Sequence, residues 1–308
     1  LMEAWATRQD LLLDRIAAGR SGHERVFGIA HPQVRIRASG EIGGMDYEIA
    51  LHGVSHGGGQ LFDDRQLALR ANADARDVPG IPGRDPAFGI PGVWIEPDRV
   101  QAARDAGYSV IDSETVLMTH LSEIIKAEMP ALLTRSMTAQ LLEGLRARQP
   151  GLLEELVPNV MTVSDVQRVL QGLLQERVSI ANIDLICETL VDIGRGERDP
   201  AELTERIRQK LGVAICNSLR GQHAGGQSLL GVDPRLADQL LKGLAPQVDR
   251  MIRQGRAPVL LCAGPLRRSL VRLTQRTMPQ LSVISVEEVP MRLSLSSFDV
   301  VRIEPAAA

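Results

Sequence analysis

A chain of 308 residues is longer than one average domain, and its 44% apolar content is enough for several cores. A net charge of -3 with a pI near 6.1 speaks against a general polyanion binder, and only 3% aromatic residues against a base-stacking platform for single-stranded nucleic acid. Cys187, Cys216 and Cys262 are widely spaced, odd in number and form no CxxC. They signal neither a disulfide framework nor a zinc knuckle, and read as small apolar residues in a reducing compartment. No apolar run approaches the roughly 20 residues that cross a bilayer. The start at Leu1 follows no signal-peptide pattern and fits a piece of a longer protein.

Leu11, Leu12, Leu13 and Ile16 predict an opening amphipathic helix broken by Gly19 to Gly22. Val34-Arg35-Ile36-Arg37 and Tyr47 to Leu51 alternate at the period of half-buried strands, and Leu67 with Leu69 marks a third. Val78 to Gly83 is expected to hold no regular structure, because proline lacks a donor and glycine is loose. After Trp94-Ile95, Pro97 opens a helix and Gly107 closes it; Tyr108 to Ile111 is a strand, and Leu117, Leu121, Ile124 and Ile125 mark a helix face.

From about residue 131 the texture is helical. Ser164 with Gln167 reads as a capping box, followed by an apolar face of Val166, Val169, Leu170, Leu173 and Leu174. Asp199-Pro200 with Glu202 reads as a second helix start. Gln222 to Gln227 is a linker, and Asp233-Pro234 begins a helix carrying Leu236, Leu240, Leu241, Leu244 and Val248. Val259 to Cys262, a helix through Leu266, Leu270 and Leu273, and Leu281 to Val286 predict a right-handed parallel crossover. The fold class is therefore mixed: α/β and α+β in several subdomains.

Candidate chemistry is sparse. His52 and His56 lie on a strand running into a flexible loop at Gly57-Gly58-Gly59 and lack further ligands, so no metal is implied and no cofactor is expected. Asp63-Asp64 and Glu287-Glu288 are adjacent pairs that point apart on a strand. No GxSxG elbow occurs. Ala263-Gly264 sits where a helix N-terminus could hold an anion, which leaves one alternative open: a soluble α/β enzyme binding a nucleotide there. Arg268, Arg272 and Arg276 recur every four residues in a stretch without acids. They form either a solvated face or a surface for an acidic protein partner.

The most informative run is Arg84-Asp85-Pro86-Ala87-Phe88-Gly89-Ile90-Pro91-Gly92-Val93-Trp94. Together with Asp112 to Leu121, Leu156-Val157-Pro158, Val166 to Ile180, Pro258 to Leu261 and Leu281 to Ser285, it resembles, in order and almost end to end, the FlhA/SctV family of type III export-gate proteins. The resemblance leans toward the virulence branch. It implies a non-enzymatic cytoplasmic domain at the bacterial inner membrane, with the membrane half absent from this chain. It also implies four subdomains: 1–61 with 110–130, an inserted 62–109, a helical 131–218 and a small α/β unit 219–308. The family forms nine-membered rings below the export channel, receives chaperone–substrate complexes, meets gatekeeper and other export proteins, and takes part in substrate switching. Carried over by motif, the chaperone-docking cleft would use Asp85, Phe88 and Thr119. The competing structural reading has Phe88 plugging the core and Asp85 capping the turn before Pro86. Two departures stand out. Ala181-Asn182-Ile183-Asp184 lacks the basic residues usual there, and the segment from Cys216 to Asp233 is shorter than usual.

Overall fold

Two compact units divide the chain, Leu1–Leu132 and Leu133–Ala308. The structure, a computed structural model, describes residues 9–30, 32–37, 43–70, 75–220, 234–290, 293, 297–299 and 301.

In the first unit, helix α1 (Gln9–Phe27) buries Leu12 and Ile16. The break expected at Gly19 to Gly22 does not occur. An interior glycine costs a helix only about 1 kcal/mol against alanine, and Gly19 lies close to Met118 of a later helix. Val34 and Ile36 are half-buried while Arg35 and Arg37 are exposed, as the alternation requires, yet residues 32–37 form no strand. Alternation sets which way side chains face; a strand also needs a hydrogen-bonded ladder.

Strands β1 (Asp46–Leu51) and β2 (Val54–Gln60) pair antiparallel, Leu51 facing Val54. The two-residue turn between them is His52-Gly53, both at positive φ, as a right-twisted hairpin demands. The loop expected at Gly57-Gly58-Gly59 is thus the middle of a strand. A second sheet, all antiparallel, has the order β4-β5-β3-β6. Its members are β3 (Gln66–Arg70), β4 (Ile81–Arg84), β5 (Pro91–Ile95) and β6 (Tyr108–Asp112). Strand β4 falls inside the Pro/Gly run expected to be irregular. It survives because it is an edge strand, where Pro82, opposite Val93, has a place that a central strand would deny it.

Pro97–Arg99 makes a 3-10 turn into α2 (Val100–Asp105), and Gly107 at φ 93 closes it. Ala68, Ile95, Ala103 and Tyr108 pack into one core. The unit ends in α3 (Ser113–Leu132), which buries Val116, His120, Leu121, Ile124 and Ile125.

The second unit begins with helices α4 (Arg135–Arg148), α5 (Pro150–Glu154), α6 (Val163–Gln175), α7 (Ile183–Ile193), α8 (Pro200–Lys210) and α9 (Gly212–Arg220). Helix α6 buries the five predicted apolar residues, each worth about 1.5–3 kcal/mol relative to exposure. Its capping box lies two residues before the predicted one: Thr162 accepts from the Asp165 N–H, and Asp165 accepts from that of Thr162. Gln167 instead donates to the Leu133 carbonyl at 2.8 Å. Asp199 caps α8 as expected, accepting from Ala201; Glu202, expected to complete that cap, pairs with Arg206 and Arg268.

Helix α10 (Pro234–Arg253) packs Leu240, Leu244 and Val248 against β7 (Val259–Cys262), α11 (Gly264–Thr274) and β8 (Ser282–Ser285). Strands β7 and β8 are parallel, joined by α11. The expected linker at Gln222 to Gln227, the helix start at Asp233 and the side chain of Leu236 lie outside the described residues.

Candidate functional site

Asp85-Pro86-Ala87-Phe88-Gly89 connects β4 to β5 as one turn of helix built from end signals. Asp85 is its N-cap: the carboxylate accepts from the Phe88 N–H at 2.9 Å and also from the Ala87 N–H. Pro86 occupies the first position, where no N–H is needed. Gly89, at φ 69, closes the turn, donating to the Asp85 carbonyl at 2.8 Å. The Asp85 N–H donates to the Ile90 carbonyl and Arg84 holds the Gly89 carbonyl, so both ends are fastened.

The outcome combines the two sequence readings. Asp85 does cap the turn and is only 2% exposed, whereas Phe88, 38% exposed, does not plug the core. Burial raises the Asp85 carboxyl above the ordinary aspartate range; its amide donors work against that, and the nearby charge of Glu123 adds to it. Thr119 lies one helical turn before Glu123 on α3, on the same face. It is half-buried, and its hydroxyl makes no hydrogen bond to another described side chain. The charge of Glu123 thus reaches Asp85, which puts this face of α3 within electrostatic range of the turn.

Sequence reasoning missed Tyr47 and His120. The Tyr47 hydroxyl and His120 Nδ1 are 2.6 Å apart, joining β1 to α3. Burial lowers the His120 pKa, which favours the neutral ring in this hydrogen bond. Burial raises the Tyr47 pKa, and Asp85 adds to the shift, which puts Tyr47 within electrostatic reach of the capping acid. The glycine strand makes room for this pair. A Cβ on Gly57 would lie 2.9 Å from His120 Nε2 and 2.8 Å from Ile124 Cδ1, and one on Gly59 would meet Tyr47 and Pro86. The run Gly57-Gly58-Gly59 was the available signal.

The other candidates resolve differently. His56 lies 3.2 Å from Glu128, and among the described residues no cluster of metal-ligating groups forms. At the α11 N-terminus, the Glu287 carboxylate already takes the Gly264 N–H. A Cβ on Gly264 would sit 2.9 Å from its Oε2. The anion place proposed at Ala263-Gly264 is therefore occupied by the chain's own carboxylate, and the nucleotide-enzyme alternative loses its site. Arg268 pairs with Glu202 at 3.2 Å and Asp199 at 3.6 Å, while Arg272 and Arg276 are exposed. Next to Arg268 in sequence, Arg267, 1% exposed, binds Glu176 and Glu205. The row therefore does not form one uniform face.

The profile of the FHIPEP family matches residues 1–227 and 219–294. The flagellar biosynthesis protein FlhA of Yersinia enterocolitica is 35% identical over 295 residues, which cover 90% of this chain and 43% of that protein. The chain thus spans less than half the length of this relative. Among solved structures, the Chlamydia pneumoniae CdsV protein superposes with a TM-score of 0.79 at 23% identity, covering 95% of this chain and 90% of that one. The EscV cytosolic domain from a type III secretion system, solved as a nonamer, superposes with a TM-score of 0.73 at 18% identity, covering 95% and 92%. These share the mixed helix-and-sheet fold described above. From the family profile and the flagellar relative, we conclude that the chain belongs to the FHIPEP family, the group its motifs resemble.

Proposed function

We propose that this chain is the cytoplasmic domain of a type III export gate and that it works by docking chaperone–cargo complexes. The observation that carries the reading is Phe88, an exposed aromatic on a turn fastened at both ends, in a chain with few aromatic residues. A rigid apolar anchor ringed by polar groups is the usual centre of a protein-binding hot spot. Thr119, with its hydroxyl unengaged by other described side chains, offers a polar contact nearby. Arg272 and Arg276 offer a separate surface to an acidic partner.

In this reading nine copies form a ring, as the EscV domain does, on the cytoplasmic side of the inner membrane. No helix among the described residues is long and apolar enough to cross a membrane. Each unit holds two subdomains: 1–61 with 110–130 and 62–109 in the first, 131–218 and 219–308 in the second. The separate cores of the β3–β6 sheet and of the α10–β8 segment support that division. Gatekeeper proteins meet the same ring, and the domain contributes to substrate selection and switching without making or breaking a bond.

The test is capture of export chaperone–cargo complexes by the immobilised chain. Phe88→Ala is expected to fold normally and weaken capture by tenfold or more, about the size of a hot-spot loss. Undiminished capture would rule out this surface.

A further inference from the structure

We infer that Asp85 serves docking only through Phe88, as a positioning residue whose carboxylate the partner never touches. The inference depends on the docking reading above.

Three observations carry it. First, Asp85 is 2% exposed, beside a Phe88 that is 38% exposed. An incoming chain reaches the ring and not the acid, and one that reached the acid would have to dismantle the turn. Second, the carboxylate already accepts from two amides of the turn itself, those of Phe88 at 2.9 Å and Ala87. Those are two donors that a turn of this kind would otherwise leave unsatisfied. Third, the backbone of Asp85 closes both layers of the same turn, taking the Gly89 N–H and giving its own N–H to Ile90, each at 2.8 Å. Every polar group of this residue points inward to the turn that carries Phe88.

The chemistry of an N-cap then sets what can replace it. A cap needs a short side chain with an acceptor oxygen, and aspartate, asparagine and serine serve nearly equally well. A salt bridge or a charge-assisted bond to a partner needs the carboxylate itself. Positioning and direct contact therefore predict opposite results for the same two substitutions.

The experiment measures dissociation constants for the immobilised 308-residue chain. The probes are export chaperone–cargo complexes from the same organism, and one that the native chain captures is carried through all variants. Asp85→Ala is expected to bind roughly fivefold more weakly, the factor that loss of one cap represents. Asp85→Asn and Asp85→Ser are expected to stay within about twofold of the native chain, because each keeps a capping oxygen. In a Phe88→Ala background, Asp85→Ala is expected to add no further loss. Hydrogen exchange at the Phe88 and Gly89 amides is expected to quicken in Asp85→Ala and not in Asp85→Asn.

Loss of binding in Asp85→Asn and Asp85→Ser equal to that in Asp85→Ala overturns the inference in favour of a direct carboxylate contact. So does additivity of Asp85→Ala with Phe88→Ala, or native binding by Asp85→Ala. Failure of the docking reading looks different. Phe88→Ala then binds as well as the native chain, or no complex is captured at all, and the inference falls with it.

Discussion

Arg267 in the first turn of α11 grips Glu205 in α8 with a two-pronged fork, Nε to Oε2 at 2.8 Å and Nη2 to Oε1, across 62 residues of sequence. Its remaining nitrogen, with Nη2, reaches Glu176 just past α6, and Arg208 joins Glu176 at 3.3 Å and Glu288 at 2.9 Å. Two guanidinium groups thus hold three carboxylates in a nearly dry place. Arg267→Ala would leave those acids facing Arg208 alone. The expected loss is about 3–5 kcal/mol, the usual consequence of orphaning a buried charge, read as a fall in the urea midpoint. Arg267→Lys should restore only part of it, because an ammonium cannot form the fork.

The glycine strand makes a sharper demand. Gly57→Ala would place a methyl within 3 Å of both His120 and Ile124, and overpacking of that kind costs about 1–3 kcal/mol. Tyr47→Phe removes the partner of His120 Nδ1 from a buried site, a loss of about 1–3 kcal/mol. Combined, the two should cost less than their sum, since they disturb one contact. Thermal melts of the single and double variants measure this.

Two acids predict opposite pH behaviour. Asp85 has its carboxyl raised, burial being the largest cause. The linked stabilisation is therefore complete below the unfolded pKa and is lost as pH rises through the folded one. Asp85→Asn should consequently melt higher than the native chain at about pH 7.5 and lose that advantage toward about pH 4. Asp165 is held below the ordinary range by the side chain and N–H of Thr162. Its contribution is present above the unfolded pKa and disappears as pH falls through the folded value. Thr162→Val removes the capping hydroxyl and should cost about 1 kcal/mol near neutrality, with the difference narrowing in acid. Melting curves across pH for both variants test the two signs.

The cysteines offer a simple probe of packing. Burial pushes the Cys187 and Cys262 thiols up to about 12, and all three cysteines are free and buried. A thiol-reactive dye should therefore label the native chain negligibly at neutral pH and label all three positions in denaturant. Rapid labelling of the native chain would mean that these cores open easily.

Where one residue type carried a strong local preference, the sequence could be read directly. The apolar face of α6, the Asp199-Pro200 start of α8 and the alternation of β1 are of this kind. The misreadings arose where long-range contacts overruled local preference. Gly19 lies inside a helix packed near Met118, Pro82 belongs to a strand because its other edge is free, and Gly57-Gly58-Gly59 is a strand because Tyr47 and His120 need the space. At the candidate site, Asp-Pro-Ala-Phe-Gly already spelled a capped turn, and the sequence reading allowed for it. It could not tell that Phe88 faces outward while its capping acid is shielded. Nor could it separate Arg267 from Arg268, adjacent in sequence, one buried among acids and the other paired at the surface.

The Arg267 cluster also decides how the end of the chain is held to the helices before it. The last strand pair is moored to the helices before it through Arg267 of α11, Glu205 and Arg208 of α8, and Glu176 just past α6. The join therefore hangs largely on one guanidinium, and a single change at Arg267 would cut it.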